Sequence, residues 1–233
     1  RMKVKQFRYG SDNLSYLIYT ENEAVAIDGG AVEEILDFIG SAGLALRVVT
    51  NTHAHPDHTP GNQALLEGSG ARLCDHTALA REGGISLGNE TISVYPTPGH
   101  TTDSVTFHCN GRLITGDTLF NGTVGTCFSG DLKAFYRSIR RLLDLPADTV
   151  VYAGHDYVEY AMAFARLVEP DNRAIDGYLA AYTPEHVFSR LADELKVNPF
   201  VRYNDPEMIK ILKKRGVATA TEDERVQGVM HIE

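Results

Sequence analysis

Thr52-His53-Ala54-His55-Pro56-Asp57-His58 puts three of the chain's nine histidines and a carboxylate into one short stretch. The residues ahead of it, Leu46-Arg47-Val48-Val49-Thr50, are apolar and β-branched and read as a buried strand closed by the polar Asn51-Thr52. Alternate residues of an extended segment share a face, so His53 and His55 aim one way. Pro56 fixes its own φ and bends the path, which lets Asp57 and His58 aim at a second point. Imidazole and carboxylate at this density are the ligands of zinc, iron and manganese. The spacing suits two neighbouring cations better than one.

Toward the N-terminus the pattern is a meander. Lys3–Tyr9 alternates, Gly10-Ser11-Asp12-Asn13 is a turn, Leu14–Thr20 is apolar, and Ala24–Ile27 runs into Asp28-Gly29-Gly30. Residues 31–42 carry Val32, Ile35, Leu36 and Ile39 at helical spacing. Beyond the histidine loop the expected elements are a helix at Gly61–Glu67, a strand at Ala71–Cys74, a helix at His76–Glu82 and a strand at Thr91–Tyr95. That strand ends in the rigid Pro96-Thr97-Pro98-Gly99-His100-Thr101. Ser104–Cys109 and Arg112–Thr115 form a hairpin about Asn110-Gly111, running out into Gly116-Asp117. Leu132–Leu143 is an amphipathic helix, and the strand Thr149–Ala153 delivers Gly154-His155-Asp156-Tyr157.

His53, His55, Asp57, His58, His100, Asp117 and His155 thus all lie just past strand ends, in loops bearing Gly or Pro. In layered α/β folds such loops gather at one sheet edge and form the site. Asp117, arriving alone on its loop, is the natural bridge, with His53, His55 and His100 on one ion and Asp57, His58 and His155 on the other. Two ions about 3.5–4 Å apart can share a water, lower its pKa to roughly 7 and polarise a carbonyl oxygen. The implied reaction is hydrolysis, with Asp57 and Asp117 flanking a bridging hydroxide.

From Val158 onward strand signals fade. Val158–Val168, Arg173–Ala181, His186–Glu194 and Glu207–Lys214 read as helices, so the expected division is residues 1–168 and a helical unit, 169–233. The formal charge of −9 argues against nucleic acid or an anionic membrane as partner. The N-terminal residues lack the apolar core of a signal peptide and no stretch is long enough to span a bilayer. Three cysteines without a CxxC fit a reducing, cytoplasmic setting. A monomer is expected.

Together, the histidine stretch with Pro98-Gly99-His100-Thr101, Thr115-Gly116-Asp117-Thr118 and Gly154-His155-Asp156-Tyr157 resembles the metallo-β-lactamase superfamily. The resemblance implies an α/β fold, an αββα sandwich with a dinuclear metal site. Gly116-Asp117-Thr118-Leu119-Phe120, Glu169-Pro170-Asp171-Asn172, Leu191-Ala192-Asp193-Glu194 and Asn198-Pro199-Phe200-Val201-Arg202 look more narrowly like glyoxalase II, the hydroxyacylglutathione hydrolases. This implies two divalent ions, zinc first and iron or manganese as alternatives, and a small thioester such as S-lactoylglutathione, its thiol part held by the C-terminal helical domain. Tyr157 matches a thiol-contacting position. Thr126 and Phe128 stand where the family carries a basic residue and a tyrosine that hold glutathione, and the family's C-terminal Arg and Lys pair is absent, so the thiol is glutathione or a relative. Lys210, Lys213 and Lys214 share a helical face with Arg215 beside it and could replace those contacts, though a solvated face is the simpler reading. Cys127 has no base beside it in sequence and reads as a loop residue. His155-Asp156-Tyr157 also resembles the mononuclear-iron persulfide dioxygenases, the alternative activity on this fold.

Overall fold

The computed structural model describes residues 1–233. Two sheets stack face to face. The first is built from β1 (Lys3–Tyr9), β2 (Asn13–Tyr19) and β3 (Glu23–Ile27), then α1 (Val32–Ala42), β4 (Ala45–Thr50), α2 (Asn62–Glu67) and β5 (Arg72–Leu73). Its order is β1-β2-β3-β4-β5, antiparallel as far as β3 and parallel from β3 to β5. The chain then passes through α3 (His76–Glu82) to β6 (Gly84–Leu87), β7 (Glu90–Pro96), β8 (Val105–Cys109), β9 (Arg112–Gly116), α4 (Leu132–Leu143) and β10 (Val150–Ala153). The remainder is α5 (Val158–Val168), α6 (Ala174–Ala181), β11 (Ser189–Arg190), α7 (Leu191–Val197), α8 (Pro206–Lys214) and α9 (Glu222–Met230). The second sheet runs β11-β10-β9-β8-β7-β6, with only β9 and β10 parallel.

Alternation along the strands sorts the core into layers. On β2, Leu14, Tyr16 and Ile18 point between the sheets and meet Ile92, Val94, Phe107 and Ile114 of the second sheet. Leu17 points the other way, with Ala26, Leu46 and Val49, onto Ile35 and Ile39 of α1. Outside the second sheet, Leu113 and Val151 receive Phe135, Ile139 and Leu142 of α4. Helix, sheet, sheet and helix are therefore stacked as the sequence implied. The hairpin turn forms as its Asn-Gly requires, with Asn110 at φ 46° and Gly111 at φ 73°. No helix is long and apolar enough to cross a membrane.

The segment read as a helix over His186–Glu194 is instead a turn, β11 and the start of α7. Gln6 on β1 takes both polar groups of the Val187 backbone, donating to its carbonyl at 2.7 Å and accepting its N–H at 2.8 Å. Ser189 and Arg190 then pair with Val151 and Val150. Tertiary partners thus claim backbone groups that a helix would have used internally. Three more elements escaped the sequence reading: β6, short and opened by glycine, the single 3-10 turn Pro199–Val201, and α9, in which acidic residues outnumber apolar ones in the first turns.

Candidate metal centre

The loops after β4, β7, β9 and β10 converge at one edge of the sandwich. They bring His53, His55, His100 and Asp117 into one group, and Asp57, His58 and His155 into a second. In the first group, Nε2 of His53 and of His100 each lie 3.1 Å from Nδ1 of His55. In the second, Nε2 of His58 and of His155 each lie 3.2 Å from Asp57 Oδ2. Asp117 stands between the groups. Its Oδ2 is 3.5 Å from His100 Nε2, 3.8 Å from His53 Nε2 and 3.4 Å from His155 Nε2, while Oδ1 is 3.3 Å from His58 Nε2.

The outward nitrogens are committed elsewhere. Nδ1 of His58 lies 3.0 Å from Asp28 Oδ2, Nδ1 of His155 lies 2.8 Å from Asp12 Oδ1, and Nδ1 of His100 lies 2.8 Å from the Thr126 carbonyl. All three partners are acceptors, so each Nδ1 donates and each Nε2 turns a lone pair inward when the ring is neutral. Thr52 gives its hydroxyl proton to Asp28 at 2.7 Å and so accepts from Nδ1 of His53 at 2.9 Å, fixing the same tautomer. With the rings neutral, several lone pairs thus converge on each point. A cation relieves their repulsion where one proton cannot serve three nitrogens. Ligands about 2.0–2.1 Å from a tetrahedral ion sit about 3.3 Å apart, which matches the spacings found. His58 Nε2 and Asp117 Oδ1 are, moreover, buried with no hydrogen-bond partner. The residues present fit divalent metal.

Electrostatics divide the groups. Burial lowers His53 to about 4 and lowers His100 as well, so both are neutral at pH 7. Burial also works against a charged His58, but the carboxylates of Asp28 and Asp117 overcome it and hold the pKa near 11. His155 is raised too, by Asp117 and Asp12 against burial. Burial disfavours the Asp117 carboxylate, yet His155 and His58 keep its pKa well below the usual range.

Sequence reasoning missed the residues that hold the candidate ligands in place. Asp28 adopts φ 52°, a left-handed conformation that Asp tolerates better than most residues. Its Oδ1 accepts the Thr52 N–H at 2.8 Å while Oδ2 serves the Thr52 hydroxyl and His58. The β1–β2 turn supplies Asp12 to His155, and Asn13 donates to Asp57 Oδ2 at 3.1 Å. Tyr9 donates to the Asp57 carbonyl at 2.6 Å. Gly116, at φ 53°, lets the chain reverse where a Cβ would lie 2.6 Å from the Thr52 hydroxyl.

Of the residues expected at the substrate, Tyr157 stacks on His155 with ring centres 4.9 Å apart. Phe128, 68% exposed, stands edge-on to His55 and His100 at 5.7 and 5.3 Å. Thr126 contributes its carbonyl to His100, while the residue is otherwise exposed. The Cys127 sulfur lies 3.6 Å from Ser129 Oγ. Asp156 is engaged in architecture: it takes Arg8 Nη2 and the Tyr182 hydroxyl, each at 2.5 Å. Lys210 is paired with Glu207 at 3.0 Å, and Lys213 and Lys214 line a cleft with Arg173.

Comparison with known proteins agrees with this geometry. The family profile described as metallo-beta-lactamase superfamily matches residues 8–84 and 75–155, and that described as hydroxyacylglutathione hydrolase C-terminus matches 156–228. The chain is 32% identical over 225 residues to the hydroxyacylglutathione hydrolase of Chromohalobacter salexigens, covering 88% of each chain. It is 35% identical over 220 residues to that of Anaeromyxobacter dehalogenans, covering 85% of each. Among solved structures, ETHE1 from Myxococcus xanthus superposes with a TM-score of 0.69 at 25% identity, covering 99% of this chain and 91% of that one. Fold, metal-binding geometry and both profiles together place this chain in the hydroxyacylglutathione hydrolase family of the metallo-β-lactamase superfamily.

Proposed function

We propose that the protein is a thioester hydrolase of glyoxalase II type, cleaving an S-2-hydroxyacylglutathione such as S-lactoylglutathione, or the ester of a related thiol, to hydroxy acid and free thiol. Residues 1–168 would carry the hydrolytic site and 169–233 would help hold the thiol. His53, His55 and His100 would hold one divalent ion and Asp57, His58 and His155 a second, with Asp117 shared, zinc being the first expectation and iron or manganese the alternatives. The observation that carries this reading is the placement of Asp117, whose two oxygens face both groups of imidazoles.

Bound there, the cations supply Lewis acidity toward the thioester carbonyl and a water acidic enough to attack near neutral pH. The chain supplies the rest. Asp57, held by Asn13 at 3.1 Å, would orient that water and take its proton. Phe128 and Tyr157 wall the opening with aromatic faces that can pack against the acyl and thiol parts. As the new C–O bond forms and the C–S bond breaks, a thiol of pKa about 8.5 leaves as thiolate without a strong general acid. The three free cysteines suit a reducing cytoplasm.

The test is thiol release from S-lactoylglutathione by metal-loaded protein, with the same acyl group on coenzyme A and on N-acetylcysteamine alongside and metal content assayed on the same sample. Fast release with two ions per chain supports the reading. No thiol from any ester refutes it, and oxygen uptake with glutathione persulfide would assign the dioxygenase activity instead.

A further inference from the structure

One carboxylate outside the proposed ligands joins the two loops that carry the histidines of the first group. Asp103 follows His100 in the turn between β7 and β8, yet its Oδ2 accepts the backbone N–H of Ala54 at 3.1 Å, midway between His53 and His55. The same oxygen meets Nε2 of His76, the first residue of α3, at 2.6 Å. The His76 side chain is 12% exposed and that of Asp103 28%, so the contact is sheltered. Ala54 itself is exposed. Without Asp103 its N–H would bond water, so the link satisfies no buried donor.

What the link does is geometric. The Val105 N–H holds the Thr52 carbonyl at 2.8 Å and so fixes the start of the histidine loop. Past Thr52, Asp103 sets how far the His53–His55 segment stands from the His100 loop, where His55 Nδ1 and His100 Nε2 must stay 3.1 Å apart to share an ion. His76 braces the carboxylate from a third element. The second group is held by different residues, Asp12, Asn13 and Asp28.

We propose that Asp103, braced by His76, is a positioning residue for the first group alone, setting the affinity of the ion held by His53, His55 and His100. This rests on the two-cation reading given above. Partners that orient metal ligands typically contribute about 10–100-fold in metal affinity.

The experiment is chelator competition on the loaded protein, which resolves ion loss into two steps; the step that His55→Ala abolishes belongs to the first group. Asp103→Ala should weaken that step by about 10–100-fold, leaving the other step and the apoprotein Tm unchanged. Asp103→Asn, which keeps an acceptor for Ala54, should restore most of the affinity, and His76→Gln, which keeps a donor, should lose less than Asp103→Ala. Wild-type affinity in Asp103→Ala, equal weakening of both steps, or a fall in the apoprotein Tm that matches the metal loss would each overturn the proposal. A single ion per wild-type chain would remove the reading beneath it, a result separable from any effect of Asp103.

Discussion

Gly154→Ala perturbs the placement of Asp117, and to a lesser degree that of His58, without replacing a candidate ligand. A Cβ at residue 154 would lie 2.3 Å from Asp117 Oδ1 and 2.9 Å from His58 Cε1, whereas ordinary contact begins at 3.4 Å. The carboxylate would have to retreat by 3.4 − 2.3 = 1.1 Å. The backbone cannot easily give way instead, because the Gly154 N–H is bonded to the Gly116 carbonyl at 2.8 Å and its carbonyl to the Leu14 N–H at 3.0 Å. Nor is the φ of Gly154 positive, so alanine brings no strain of its own. Metal–ligand distances tolerate about 0.2 Å, and a misplacement of about 1 Å at a reacting centre costs about 100-fold in rate, or about 2.7 kcal/mol of barrier. We expect kcat for thioester hydrolysis to fall by about that factor, with fewer ions retained per chain on gel filtration. Gly177→Ala, in α6 with no atom within 4 Å of the added Cβ, is the control and should stabilise by about 0.5–1 kcal/mol. Wild-type turnover and full metal content in Gly154→Ala would refute the argument that Asp117 must stay where it is.

Glu169→Ala should cost about 3–5 kcal/mol in urea denaturation, because it strands Arg202, whose guanidinium makes two 2.8 Å bonds to that carboxylate and is 8% exposed; a cost below about 1 kcal/mol would mean that Asp205, 3.3 Å away, suffices. Phe128→Ala should leave stability within about 0.5 kcal/mol while raising KM several-fold, and an unchanged KM would remove Phe128 from the substrate's path. Burial pushes the Cys109 thiol up to about 11. At pH 8 only about 0.1% of it is then thiolate, so an aromatic disulfide reagent should titrate Cys74 and Cys127 and spare Cys109; prompt reaction of all three thiols in the folded protein would contradict that burial.

The strands and the ligand loops were legible because each rests on local information. Val48 and Val49 declare a strand wherever they end up, and imidazoles ahead of Pro56 declare a metal whatever lies across the cleft. Asp28 and Asp12 were not legible. Each sits in an ordinary turn, and its meaning comes from a histidine far away in the chain, His58 for one and His155 for the other. Asp103 is the same case, its partners being Ala54 and His76. The helix read over His186–Glu194 failed because Gln6 claims the Val187 backbone, which no local pattern shows. α9 could have been found. Thr221 accepts the Glu224 N–H, a cap announced in the sequence as Thr-x-x-Glu, and Glu224 also accepts the Ala220 N–H one residue ahead of the cap.

Because β11 covers β10, the strand that delivers His155 is interior only while the C-terminal third of the chain is present. A protein cut at residue 168 would keep every candidate metal ligand and still expose a bare hydrogen-bonding edge beside His155, an invitation to pair with another copy. Chimaeras that exchange the C-terminal segment among relatives should therefore join after Arg190, where the sheet is complete and Gln6 keeps its own Val187 loop.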